Sequence, residues 1–315
     1  MTLLIARQVG QPSHPTLSPN SLWLRSSLLV IGLFGGLYFP SGFAVLTSLV
    51  PPSNWGKAIA IHELAPNISF VAAPLIAELM ISVGLNWRMA LAGVAGLALV
   101  AIFFFLRFCS CGREKSLAPQ PKLYLKTLGR KEFWVLAVFF ALAIGATQGV
   151  YSQTPLYLVS SKGMEPDWVN YLLAASRISG IFLVFWAGMI VDRLGPVRAL
   201  RIFVALTGLA TLSYGWLPGG WVILAVLVQP TMGGCFFPAG FAVLSSVFPA
   251  KSRPMAISLI VPLAVLTGGG AIPAGLGLFG DQGLFSLGFM ILGVIIFMST
   301  FLTAVFALSG DSRSA

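Results

Sequence analysis

Three observations predict that this 315-residue chain is an all-α, polytopic membrane protein. Hydrophobic residues make up 57% of it and charged residues only 9%, with a mean hydropathy of +0.92, far from the balance of a soluble domain. Nine apolar runs each reach about 20 residues, the length that crosses roughly 30 Å of hydrocarbon as a helix. Finally, Phe39–Leu46, Phe-Pro-Ser-Gly-Phe-Ala-Val-Leu, returns 198 positions later as Phe237–Leu244, Phe-Pro-Ala-Gly-Phe-Ala-Val-Leu. The match runs on to Pro51 against Pro249 and keeps Ser48 on Ser246. Six spans separate the copies, so both cross in the same direction, the signature of parallel repeats.

In chain order the spans are expected at 22–50, 56–83 and 87–108, then 132–159, 168–191, 198–217, 219–248, 253–280 and 284–309. Tryptophan, whose indole favours the headgroup level, supports these limits. Trp23, Trp55, Trp87, Trp134, Trp168, Trp216 and Trp221 flank spans, and only Trp186 lies inside one. Pro218-Gly219-Gly220 is a break short enough to make a tight hairpin. Gly32-x-x-x-Gly36 and Gly145-x-x-x-Gly149 suit helices that approach closely in lipid. The long polar connection, 109–131, is basic, holds Pro119 and Pro121, and reads as a flexible tether. Residues 1–21 lack the charged start and apolar stretch of a signal peptide.

The net charge of +10 reports topology. With the first span running inward, fourteen Lys and Arg fall on the cytoplasmic side, from Lys57 through the 107–131 cluster to Arg193, Arg198, Arg201, Lys251, Arg253 and Arg313. Four, Arg7, Arg25, Arg88 and Lys162, remain outside. That bias places the N-terminus outside and the C-terminus inside, and no nucleic-acid partner is implied. Cys109, Cys111 and Cys235 form no disulfide framework, and no further thiol or histidine stands near Cys109-x-Cys111 to complete a metal site.

The loop after the fifth span reads Gly188-Met-Ile-Val-Asp192-Arg193-Leu-Gly195-Pro-Val-Arg198. An acid there can accept from a neighbouring helix N-terminus while Arg193 and Arg198 face headgroups. This loop resembles the G-x-x-x-D-R-x-G-(R/K)-(R/K) signature of the major facilitator superfamily, with Pro196 where the family carries a basic residue. The resemblance covers residues 22–309. It implies that Gly188, Asp192, Arg193, Gly195 and Arg198 latch one closed state of the protein. Because the repeat maps the first span here onto the family's seventh, the nine spans match helices 4–12 of the twelve-helix fold. The expected division is therefore an external segment 1–21, a partial three-span bundle at 22–108, the cytoplasmic linker 109–131, a six-helix bundle at 132–309 and a cytoplasmic tail 310–315, with the family's first three helices missing. Ser69-x-x-x-Ala73-Pro74 resembles the family's fifth-helix motif with both glycines replaced.

Ionisable groups at depth in a bilayer are costly and mark functional positions. His62, Glu63, Glu78 and Arg177 are the candidates, with Glu78 near the outer end. Arg177 lies about ten residues from either end of its span, roughly 10 Å deeper than His62 and Glu63 at 1.5 Å per residue. One reading has Arg177 bind a carboxylate-like substrate while Glu63 or His62 exchanges a proton; the other makes Arg177 and Glu63 a structural salt bridge. Tyr38, Gln148, Tyr151, Gln153 and Gln229 can offer hydrogen bonds to a ligand or between helices. Pro66 and Pro74 correspond, nearly in register, to Pro262 and Pro273, beside Gly268-Gly269-Gly270, as points where helices bend.

Enzyme chemistry finds no paired carboxylates, no Cys/His cluster and no phosphate-cradling loop, so no cofactor and no metal are expected. The implied function is secondary transport of a small solute, with an organic anion and proton coupling as the candidate chemistry, by an integral protein of the cell (inner) membrane. Its partners would be a small-molecule substrate and the bilayer; nothing sets the oligomeric state. The alternative is a truncated, non-transporting remnant, sensor or scaffold.

Overall fold

The computed structural model describes Ser26, Val30, Tyr38, Gly42 and residues 45–83, 87–108, 121–250 and 252–306. The expected segment 1–21, most of the first span with Trp23, Gly32, Gly36 and Pro40, the Cys109–Cys111 pair, Lys251 and the tail 310–315 lie outside the described residues. So does the side chain of Glu78.

Each regular element among the described residues is helical. They are α1 (Trp55–Ser82), α2 (Trp87–Phe108), α3 (Pro121–Leu128), α4 (Lys131–Ser160), α5 (Pro166–Leu194), α6 (Pro196–Trp216), α7 (Gly219–Val247), α8 (Arg253–Asp281) and α9 (Phe285–Phe306). Among the described residues, α4, α6, α7, α8 and α9 are long and apolar enough to cross a membrane. The expected spans 132–159, 198–217, 219–248, 253–280 and 284–309 thus fall on strongly apolar helices.

Part of the expected linker differs from a plain tether, because Pro121–Leu128 is helical. Pro121 opens it, where its missing N–H costs nothing, Thr127 is buried, and the Trp134 indole donates to the Leu128 carbonyl at 2.9 Å just beyond its end.

The chain divides into two compact units, residues 1–38 with 68–116 and residues 39–67 with 117–315. In the first, α2 carries Leu97, Phe103 and Leu106 exposed along its length. In the second, α4 packs on α8, α5 on α7, and α6 on both α7 and α9.

Lipid is as apolar as leucine, so helices in a membrane are drawn together by close contact, which small residues permit. Gly208 of α6 lies against the backbone of Phe297, and Gly293 of α9 against the backbone of Leu212, so a side chain at either site would push the helices apart. Larger rings fill the remaining space. Phe140 of α4 meets Phe236 and Phe241 of α7 edge-on at 5.1 and 4.7 Å between centroids. Tyr157, Tyr214, Phe285 and Phe289 form a second cluster, pinned where the Tyr157 hydroxyl donates to the Tyr214 carbonyl at 2.6 Å.

The N-terminal turn of α1 crosses the last turns of α5 at two glycines. A Cβ added at Gly188 would stand 2.6 Å from both the Ala60 Cβ and the Gly56 carbonyl oxygen. Backbone on the far side cannot yield as a side-chain tip can. We expect Gly188→Val to cost about 3 kcal/mol or more by overpacking, read as a lower midpoint when the detergent-solubilised protein is heated and its folded fraction is followed by size exclusion. An unchanged midpoint would contradict the crossing.

Candidate functional site

Asp192 sits at the end of α5, beyond the predicted span. Its Oδ1 accepts from the Gly56 amide at 2.9 Å and its Oδ2 from the Lys57 amide at 3.2 Å. These amides belong to the first turn of α1, where no intrahelical acceptor exists. The first turn of α1 contains no acid of its own, so a carboxylate 136 residues away in sequence caps it. Burial pushes the Asp192 carboxyl above its ordinary value, and the two amide bonds act in the opposite direction. Gly195 turns the chain at φ +82°, a left-handed conformation that favours glycine, and Pro196 then opens α6. The departure from the basic residue of the family signature therefore has a local cause: proline is preorganised for the first helical position. Arg193 and Arg198 are exposed.

Arg177 lies midway along α5 and is 5% exposed. Its Nη2 donates to the Thr147 carbonyl at 3.1 Å, and its guanidinium carbon stands 3.7 Å above the centroid of the Tyr151 ring. Both of these partners come from α4, and both are neutral. The carbonyl is within reach because α4 widens into a π-helical turn at Gly145–Gly149, where the Val150 amide reaches back to the Gly145 carbonyl. Such a turn disturbs the regular ladder and is frequent at functional sites. The next carbonyl back, Ala146, accepts from Gln229 Nε2 of α7 at 2.9 Å. Gln229 is fully buried, and its Nε2 also donates to Thr211 Oγ1 of α6 at 3.1 Å.

The other expected residues are distributed around this centre. Gln153 donates to the Pro273 carbonyl of α8 at 3.1 Å. Gln148 is exposed on α4. Tyr38 is exposed and belongs to the other compact unit. His62 Nδ1 and Glu63 Oε1 are 3.4 Å apart, with Glu63 buried and His62 half-buried. Helices α1 and α5 are antiparallel at their crossing, since Gly56 meets Asp192 while Ala60 meets Gly188. Counted from the Gly56–Gly188 contact, Glu63 is seven residues along and Arg177 eleven, an axial offset of about 6 Å at 1.5 Å per residue. The sequence-based figure of roughly 10 Å was larger because it used span ends as the reference.

Thr147 and Thr211 were not singled out by sequence, although Gly145-x-x-x-Gly149 brackets Thr147. A further cluster at the basic edge was also missed. Arg253 donates through Nη1 to Thr47 Oγ1 at 2.9 Å and through Nη2 to the Ser245 carbonyl at 2.7 Å, with its guanidinium carbon 4.7 Å from the Trp55 ring centroid. The repeat offset of 198 was a usable signal, because it pairs Thr47 with Ser245 and Trp55 with Arg253.

Comparison with known proteins gives a consistent result. The family profile of the Major Facilitator Superfamily matches residues 3–233. The chain is 25% identical over 235 residues to a Bacillus subtilis glycerol-3-phosphate transporter, covering 63% of this chain and 52% of the relative. It is 25% identical over 179 residues to a Bacillus subtilis nitrite extrusion protein, covering 55% and 44%. It spans about half the length of the curated relatives it matches. Among solved structures, the Escherichia coli fucose:proton symporter aligns with TM-score 0.72 at 14% identity, covering 91% of this chain and 78% of that one. A bacterial homologue of the iron transporter ferroportin, in an outward-facing state, aligns with TM-score 0.71 at 14% identity, covering 95% and 76%.

Proposed function

The chain belongs to the major facilitator superfamily, and on that premise we propose that it is a secondary transporter that exchanges a small organic anion across the membrane with proton coupling. It is an integral, multi-pass protein of the cell membrane. In the arrangement proposed, its nine spans correspond to helices 4–12 of the family fold, grouped as 22–108 and 132–309 about a cytoplasmic linker, with the basic edge facing the cytoplasm.

One observation carries the reading: a buried guanidinium at mid-depth in α5, stacked on an aromatic ring and tied to a backbone carbonyl. A cation at that depth is costly, and an anion entering beside it lowers the cost by bringing the opposite charge into the same low-dielectric surroundings. The occupied site then carries less net charge than either ion alone. His62 and Glu63, in contact at 3.4 Å and offset toward the basic edge, would take up or release the proton that keeps the cycle electrically balanced. The names of two relatives support the class, since glycerol-3-phosphate and nitrite are both anions. The sequence carries no nucleotide-binding loop, so the driving force would be a solute or proton gradient.

The test is counterflow in proteoliposomes made with the 315-residue chain, offering phosphate esters, carboxylates and small inorganic anions against neutral sugars and glycerol. Exchange restricted to anions, and faster when the proton gradient is directed inward, is the expected result. Exchange of neutral solutes alone, or none at all, would overturn the proposal.

A further inference from the structure

We infer that Gln229 is a positioning residue for the anion site: its amide holds open the wide turn of α4 that delivers the Thr147 carbonyl and the Tyr151 ring to Arg177. The functional half of this inference rests on the reading of Arg177 as the anion-binding group; the structural half does not.

Within a bilayer each backbone carbonyl needs a donor, because no water is present to supply one. A π-helical turn shifts the ladder from four residues to five, which disturbs the regular pairing and opens carbonyls of the turn to donors from outside the helix. In α4 two successive carbonyls of that turn, Ala146 and Thr147, receive donors from two different helices, Gln229 of α7 and Arg177 of α5. Ala146 offers only an acceptor, which fixes the Gln229 amide with its nitrogen toward α4. Thr211 Oγ1 takes the second amide hydrogen and spends its own hydrogen on the Thr207 carbonyl at 2.8 Å, so the amide is held from both sides. One turn farther along α7, Gly233 brings that helix against Thr147, where a Cβ would lie 2.7 Å from the threonine methyl. The Gln229 side chain is completely buried, so it acts on the site through α4.

Loss of the amide leaves the Ala146 carbonyl without that donor and favours closure of the wide turn into a regular one. A regular turn holds one residue fewer, so everything after it rotates by about 100° relative to everything before. Tyr151 then leaves the face of Arg177, and Gln153 leaves the Pro273 carbonyl and the neighbourhood of Gly277, where its amide nitrogen now lies 3.8 Å from the position of an added Cβ.

The experiment reads that rotation directly. In a background with the three native cysteines replaced by alanine, Gln153→Cys and Gly277→Cys are joined with a short thiol-bridging reagent, with and without Gln229→Met, which keeps the volume and removes the donor. Thr211→Val, which removes only the second anchor, serves as the milder variant should the first fail to accumulate. Both variants are expected to lower the cross-linking yield and, in anion counterflow without the engineered cysteines, to raise KM about tenfold or more with Vmax held within a few-fold, as misplacement of a binding group does. An unchanged yield overturns the inference, and a raised KM with an unchanged yield does so too, because Gln229 would then contact the solute itself. If counterflow carries only neutral solutes while the yield falls, the anion reading fails and the control of the turn by Gln229 stands.

Discussion

Arg177→Gln is expected to abolish anion exchange while the protein still inserts and folds. Two energies of opposite sign decide the folding half of that result. A hydrogen bond from a charged donor to the Thr147 carbonyl contributes about 1.5–3 kcal/mol, and stacking on Tyr151 adds about 1 kcal/mol. Holding an arginine at mid-bilayer costs about 2.5–3.5 kcal/mol on the lower of the measured scales. These nearly cancel, so the variant is expected to match the parent in thermal midpoint to within a few degrees. Transport has no such compensation, because the entering anion loses its counter-charge in a low-dielectric site. Arg177→Lys separates charge from shape. A lysine keeps the positive charge but is a point donor that cannot lie flat on the Tyr151 ring while reaching Thr147, so exchange is expected to survive with KM raised about tenfold or more. Initial rates across a range of anion concentrations, set beside heating curves of the same preparations, distinguish the outcomes. Wild-type exchange by the Gln variant would remove Arg177 from the anion site.

The sequence made the helices legible because length and apolarity alone set a membrane span. The expected 87–108 coincides with α2, and 253–280 differs from α8 by a single residue. Arg177 stood out for a related reason: a charge in the middle of an apolar run is visible in the sequence. Its partners were not, since a backbone carbonyl at Thr147 has no letter of its own, and the wide turn that turns it toward α5 depends on donors from two other helices. The Gly145-x-x-x-Gly149 pair illustrates the limit. Small residues report that something approaches closely, and here it is Ile272 and Gly268 of α8; they do not report that the helix widens between them. Asp192 was readable as a helix cap from its loop, yet only the three-dimensional crossing at Gly56 and Gly188 shows which helix it serves.

At the basic edge, Arg253→Met is expected to loosen the segment 45–55 from the start of α8. Arg253 is fixed by the duplication in a way that a single salt bridge is not. Its two donated hydrogen bonds end on Thr47 and Ser245, positions equivalent under the 198-residue repeat, and the ring beneath it belongs to Trp55, its own equivalent. The side chain therefore ties one copy of the repeated segment to the other. Trp55 is held in place for this contact by its indole, which donates to the Val50 carbonyl at 3.0 Å. Methionine fills a similar volume and can still touch the ring, but it donates nothing to Thr47 or Ser245. Two bonds from a charged donor at about 1.5–3 kcal/mol each, less the cost of burying that charge, leave a net loosening of about 3 kcal/mol. That corresponds to roughly a hundredfold rise in the open fraction. A cysteine at Leu46, partly buried against the core, in the background without native cysteines gives the readout. It should react with a water-soluble maleimide far faster in the Arg253→Met protein than in its parent. Arg253→Lys, which keeps the charge over the ring but reaches only one acceptor at a time, should fall between the two. Equal rates in all three would mean that the segment is held by packing alone and that the bridge between the repeats carries no weight.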